Sequence, residues 1–218
     1  MWQSKIYTFK DIQEKRSYIF DRVKKIYEQI SDDDINNLLD DIKIRLREQK
    51  EKGASNHSLK EIYVSFKELE KYDISNEKSF LKYLNSPVSS ITHETTHIFQ
   101  NIFKIFPHIQ YTFKDDNGNT KVNYEKYVND AGEKQARIEQ ILELLKWGFE
   151  KEEIVGFLFS RFYKDKNLWR NLIDTAVEAN KIASNNGEES LMYVSDQGKQ
   201  TTFDRSKKTR GNNYERSY

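Results

Sequence analysis

Residues 86–106 read SPVSSITHETTHIFQNIFKIF, and His93-Glu94-Thr95-Thr96-His97 within them decides how the rest of the chain is read. Ser86-Pro87 fits the start of a long helix, serine as the cap and proline at the first helical position. Pro107 fits its stop. On a helix, side chains four residues apart share a face, with Cβ atoms roughly 5–6 Å apart. Two imidazoles so placed can each bring a nitrogen to about 2.0–2.1 Å from one Zn2+. Glu94 projects beside them, where it can take a proton from a water that the metal activates. The imidazoles must be neutral to bind, so loading is expected to weaken as pH falls through the histidine range near about 6.5. Ser90, Thr95 and Thr96 are small and leave room, while Val88, Ile91, Ile98, Phe99, Ile102 and Phe103 anchor the helix.

Two histidines alone bind zinc poorly, so a third ligand is required. No H-x-x-G-x-x-H continuation follows His97, and His108 lies past the expected helix stop. A carboxylate from a later helix is the better candidate. Asp130-Ala131-Gly132-Glu133 opens such a helix, and Ala136, one turn beyond Glu133, lets two helices approach closely. Glu139, Asp130 and His108 stay as rival ligands, with Glu143 a turn beyond Glu139. Tyr111, Tyr124, Tyr127 and His108 lie between the two motifs, where a group stabilising an oxyanion is needed. Each of these tyrosines is equally a packing residue.

His93-Glu94-Thr95-Thr96-His97 followed by a helical Glu133-x-x-Ala136 resembles the gluzincin-type H-E-x-x-H zinc metallopeptidases, in particular small prokaryotic and phage-encoded members similar to the ImmA/IrrE group. The resemblance spans about residues 59–147. It implies a zincin-like core, His93, His97 and Glu133 as zinc ligands, and Glu94 as general base in peptide-bond hydrolysis. It also implies an upstream strand that borders the cleft and pairs with extended substrate, for which residues 59–66 are the counterpart. One departure stands out. Larger members often carry an acid one turn after the third ligand to orient a ligand histidine, and this chain has Arg137 there. That orienting group must then come from elsewhere, Asp130 being one choice.

Working outward, Ile12, Ile19, Val23, Ile26, Tyr27 and Ile30 recur at helical spacing. Ser31 opens a second helix with an acidic first turn, striped by Ile35, Leu38, Leu39, Ile42 and Leu46. The pair reads as a helical hairpin. Residues 59–66, LKEIYVSF, alternate like a strand with Ile62, Val64 and Phe66 on one side. A short helix is expected over residues 76–84. Residues 108–127 read as a β-hairpin around Asp116-Asn117-Gly118. Helices follow over about 130–147, 151–162 and 168–183, with Trp147, Phe157, Phe159, Phe162 and Trp169 assigned to core or interface.

The expected class is α+β and mostly helical: a zincin-like core with a small β-sheet and hairpin, flanked by helices. The expected division is an N-terminal helical hairpin over 1–58, the zincin-like domain over 59–184 and a polar tail over 185–218. That tail is mildly basic and poor in large apolar residues, so on its own it is expected to be flexible, with an assembly partner as a candidate to hold it.

Composition narrows the alternatives. The 218 residues contain no cysteine, which removes disulfides, thiolate catalysis and thiolate-ligated metals. Lys+Arg 36 against Asp+Glu 35 leaves a net charge of +1, against nucleic acid as the main partner. Aromatics at 13% offset the low apolar share of 36% and argue for a packed core. No window is apolar enough for a membrane span. Residues 1–10, MWQSKIYTFK, lack an apolar core followed by a cleavage site, so a cytoplasmic or, for a phage protein, virion-associated location is expected. The expected partner is a protein or peptide substrate. The rival expectation is a non-enzymatic zincin-like structural or interaction protein, such as a phage particle component.

Overall fold

The computed structural model describes residues 2–49, 53–106, 112–114, 118, 120–158 and 166–185. Pro107, His108, Tyr111, the Asp116-Asn117 step of the expected turn, residues 159–162 of the expected 151–162 helix with Phe159 and Phe162, and the tail from residue 186 onward lie outside the described residues. The architecture is α+β and mostly helical. The chain divides into two compact units, one up to Ile98 and one from Phe99 onward. No described helix is long and apolar enough to cross a membrane.

In the first unit, β1 (Tyr7–Thr8) precedes α1 (Gln13–Ile26) and α2 (Asp32–Asp41). These two helices are the expected hairpin. Lys24 meets Asp32 at 2.7 Å beside the loop and Arg16 meets Asp40 at 3.1 Å at the other end, so they run antiparallel. Tyr18, Ile19, Val23, Ile35, Leu38 and Leu39 are buried. Ser31 caps α2 through its Oγ, which accepts from the Asp34 N–H at 3.1 Å.

The second helix ends earlier than the stripe to Leu46 suggests. Ile42 turns extended, and β2 runs over Lys43–Arg47. Ile42, Ile44 and Leu46 also alternate, and that period of two wins because β2 finds a partner. β3 (Gly53–Asn56) and β4 (Glu61–Ser65) complete a four-stranded sheet in the order β1-β2-β4-β3. β2 and β4 are parallel, with Ile44 opposite Ile62 and Leu46 opposite Val64; β3 and β4 are antiparallel. Ile44, Ile62 and Val64 are fully buried on one face. On β4, the Tyr63 phenol donates to Glu61 at 2.6 Å and Arg45 pairs with it at 2.8 Å. The Tyr63 hydrogen bond, followed by that of Arg45, holds the Glu61 carboxyl below its usual range.

β4 is shorter than the expected 59–66 strand, because Phe66 already starts α3 (Phe66–Lys71) behind a Ser65 cap. α4 (Glu77–Asn85) starts at the expected place, with a reciprocal Asn76–Ser79 capping box. Ser86 does not open the next helix; it closes α4. Its N–H donates to the Lys82 and Tyr83 carbonyls, and its hydroxyl to the Tyr83 carbonyl at 2.6 Å. α5 (Ile91–Ile102) therefore begins four residues later than Ser86-Pro87 suggests. The Ser90 carbonyl accepts its first bond, from the Glu94 N–H at 2.9 Å.

In the second unit, α5 ends in a Schellman arrangement. The Ile105 N–H donates to the Gln100 carbonyl and the Lys104 N–H to the Asn101 carbonyl, with Lys104 at φ 51°. The strands β5 (Thr112–Lys114) and β6 (Thr120–Val122) form the expected antiparallel hairpin, with Gly118 at φ 76° between them. Tyr124 does not continue the strand but opens a short helix, α6 (Tyr124–Asn129). The Asn123 side chain caps that helix by accepting from the Lys126 N–H at 3.0 Å.

α7 (Ala131–Lys146) matches its expected span and ends at Gly148, φ 77°. α8 (Lys151–Leu158) and α9 (Lys166–Asn185) follow. Ile141, Leu144, Ile154, Trp169, Ile173 and Ala176 are buried. Trp147, assigned to core or interface, is not in the core: it is 41% exposed, as the C-cap beyond the last turn of α7.

Candidate metal centre

α5 is buried along most of its length, so its polar residues must be satisfied locally or used. Thr95 Oγ1 donates to the Ile91 carbonyl at 2.7 Å and Thr96 Oγ1 to the Thr92 carbonyl at 2.8 Å. These hydroxyls bond back into their own helix and claim no neighbour. Ile98 and Phe99 are fully buried and fix the rotation of the helix. His93, 4% exposed, and the half-buried His97 then share one face. Their rings are edge to face, and the two Nε2 atoms lie 3.1 Å apart. Two nitrogens bound to one tetrahedral ion at about 2.0–2.1 Å sit about 3.3 Å apart, so the ring pair already has a chelating separation.

The third group comes from α7. Asp130 is its N-cap, and its Oδ1 accepts from the Glu133 N–H at 2.8 Å. On the continuous helix α5, one turn beyond His97, Gln100 donates from Nε2 to the Gly132 carbonyl at 3.0 Å. That bond fastens the first turn of α7 to the helix that carries the histidines. Gly132 permits it, since a Cβ there would lie 3.1 Å from both Gln100 Oε1 and Asp130 Oδ1. Glu133 is 5% exposed. One ligand atom each from His93, His97 and Glu133 lie within 4.8 Å of one another. An H-E-x-x-H helix with a distal glutamate placed in this way matches the zincin-type arrangement, and the three groups are poised to hold a divalent cation.

The rival ligands fall elsewhere. Asp130 spends Oδ1 on the cap. Glu139, six residues beyond Glu133 and about 240° around the helix, is buried and takes the Gln135 side chain at 2.7 Å. Neither belongs to the cluster, nor does Glu143. Of the candidate oxyanion groups, Tyr127 holds its hydroxyl 3.2 Å from Arg137 Nη2.

Glu94 is 8% exposed on the first turn of α5. Its neighbour is β3 rather than β4, which differs from the expectation for residues 59–66. β4 is paired on both flanks, by β2 and β3, and has no free edge for a peptide; β3 is one of the sheet's two edge strands, β1 the other. A Cβ on Gly53 of β3 would come within 2.8 Å of Ser90 Cβ and 3.2 Å of Glu94 Cγ. The backbone of β3 therefore lies directly against the turn that carries Glu94. The Ser90 hydroxyl at this contact is buried and has no hydrogen-bond partner among the described residues. Gly53, flanked by Lys52 and Ala54, carries no signal in the sequence until its spatial neighbour is known.

Two predictions follow from these supports. Gly53→Ala is expected to lower stability by about 1–3 kcal/mol, as overpacking does, and to impair Glu94-dependent chemistry more than metal uptake. Ser90→Gly in the same chain should recover much of the loss, checked by thermal denaturation and zinc titration. Asp130→Ala is expected to cost about 1 kcal/mol through the lost cap and to weaken metal binding by loosening the turn that presents Glu133. Asp130→Asn, which still accepts, should recover most of both.

Comparison with known proteins finds no matching family model, no matching curated protein and no matching solved structure.

Proposed function

We propose that the chain is a zinc-dependent metalloendopeptidase, with His93, His97 and Glu133 as ligands and Glu94 as general base. The observation that carries this reading is the convergence of two imidazoles and one buried carboxylate from two helices. The donor set suits zinc: nitrogen and oxygen ligands, three from protein, leaving a position for a reacting group. Bound zinc supplies a Lewis acid for a peptide carbonyl and for the attacking water, chemistry that these side chains lack on their own. Glu94 takes the proton from that water and passes it to the leaving amine. Its burial against β3 keeps the carboxylate in one place for both transfers. An extended segment of protein substrate adds to the outer edge of β3, whose backbone borders Glu94.

The test combines metal content with cleavage. The purified chain is expected to bind one zinc and to cut unfolded protein substrates at internal peptide bonds. Chelation should stop cleavage and added zinc should restore it. Mass spectrometry of the products identifies the cut sites. Zinc uptake without cleavage of any substrate would favour a metal-stabilised scaffold, and failure to take zinc would remove the reading altogether.

A further inference from the structure

Arg137 lies one turn beyond Glu133 on α7. Its Nη2 is 4.0 Å from Glu133 Oε2, an ion pair rather than a hydrogen bond. The same nitrogen is 3.2 Å from the Tyr127 hydroxyl of α6, and Nη1 is 3.4 Å from Gln140 Oε1. The guanidinium carbon lies 5.8 Å from the ring centre of Trp169 on α9. Gln140 and Trp169 are 2% and 1% exposed, so two of these supports are themselves fixed in the core. An exposed glutamate–arginine pair at this spacing is ordinarily a loose and weak surface contact. Here three groups from three helices hold the guanidinium independently of the glutamate. A guanidinium only donates, in a rigid planar fork. It can therefore address a carboxylate ligand, and it cannot accept a hydrogen bond from an imidazole N–H.

We propose that Arg137 is the positioning residue of the metal centre: it holds Oε2 of Glu133 and thereby presents the other carboxylate oxygen as a single ligand atom. This inference rests on the assignment of Glu133 as a metal ligand. Tyr127 then serves as an anchor of the guanidinium. The pairing also accounts for a basic residue at a position where the resemblance calls for an acid: the orienting contact is made to the glutamate and not to a histidine.

The experiment is a set of zinc dissociation constants from chelator competition on the full chain. It covers wild type, Arg137→Gln, Arg137→Lys, Glu133→Gln and the Glu133→Gln/Arg137→Gln double variant. Arg137→Gln is expected to weaken zinc binding about 10–100-fold, the usual effect of losing a group that orients a ligand. Its thermal midpoint in chelator should stay near that of wild type. Arg137→Lys keeps the charge, loses the fork and should fall between the two. The double variant should bind no more weakly than Glu133→Gln alone, because the arginine acts through that carboxylate. Zinc binding by Arg137→Gln equal to wild type overturns the proposal, as does the same fold loss in the Glu133→Gln background. Where Arg137→Gln fails to fold, Tyr127→Phe carries the test: weakening of about threefold or more, toward the low end of that range, supports the proposal, and unchanged binding overturns it. Wild-type chain that takes no zinc removes both this inference and the peptidase reading. Wild-type zinc and cleavage beside an indifferent Arg137→Gln removes this inference alone.

Discussion

Glu94→Gln is expected to retain zinc and to lose peptide-bond cleavage by roughly 10²–10⁴-fold, the range that a positioned acid–base group supplies. The substitution keeps size and shape, which matters at a side chain only 8% exposed and packed against Gly53. What it removes is the ability to accept a proton. Glutamine still offers a carbonyl oxygen to a water, so binding of substrate and metal should change little, and the loss should appear in kcat rather than KM. The check is a paired measurement of zinc stoichiometry and turnover on one substrate. Turnover equal to wild type would falsify the assignment of Glu94 as base, because no other group could then be credited to this position.

His97→Ala and Glu133→Ala give the second large effect, this time on the metal. Each removes one of the three proposed ligands, so zinc affinity should fall by more than the roughly 10–100-fold cost of changes outside the ligand set. The loss should be visible without any assay of cleavage. Zinc at about 100 times its dissociation constant adds about 2.7 kcal/mol to the folded state, and that increment should vanish in both variants. The metal-free variants should remain folded. His97 is half-buried rather than fully enclosed, and the caps and hydrophobic contacts of α5 and α7 do not pass through these side chains. Thermal midpoints with zinc and with chelator, compared across wild type and variants, separate loss of the ion from loss of the fold.

Much of this centre was legible in the sequence because helical spacing is a strong constraint. His93 and His97, four residues apart on one helix, could hardly avoid sharing a face, and α5 confirms the pairing with Nε2 atoms 3.1 Å apart. Glu133 was readable as a first-turn acid of a predictable helix, whereas its approach to α5 depends on the Gln100–Gly132 hydrogen bond. No periodicity announces such a long-range bond. The helix start at Ser86-Pro87 was misplaced for a related reason. Serine caps and closes helices with the same hydroxyl, and only the Tyr83 carbonyl within reach decides which. Residues 43–47 fit both periods, since Ile42 and Leu46 suit a helix while Ile44 and Leu46 suit a strand. The tie was broken by a partner, β4, whose paired residues lie 18 positions further along the chain. The edge position of β3 was invisible for the same reason: strand order belongs to the sheet and not to any one strand.

The Asp130 cap and the Gln100 clasp carry a consequence for how an ion would enter. Both are made by the polypeptide alone, so the turn bearing Glu133, the proposed acidic ligand, is held in register with its helix without help from a cation. Uptake then resembles filling a socket more than tying a knot. Little chain entropy is lost at the moment of capture, and discrimination among divalent ions falls to the fixed spacing of the donors instead of to a fold that closes around whichever ion comes first.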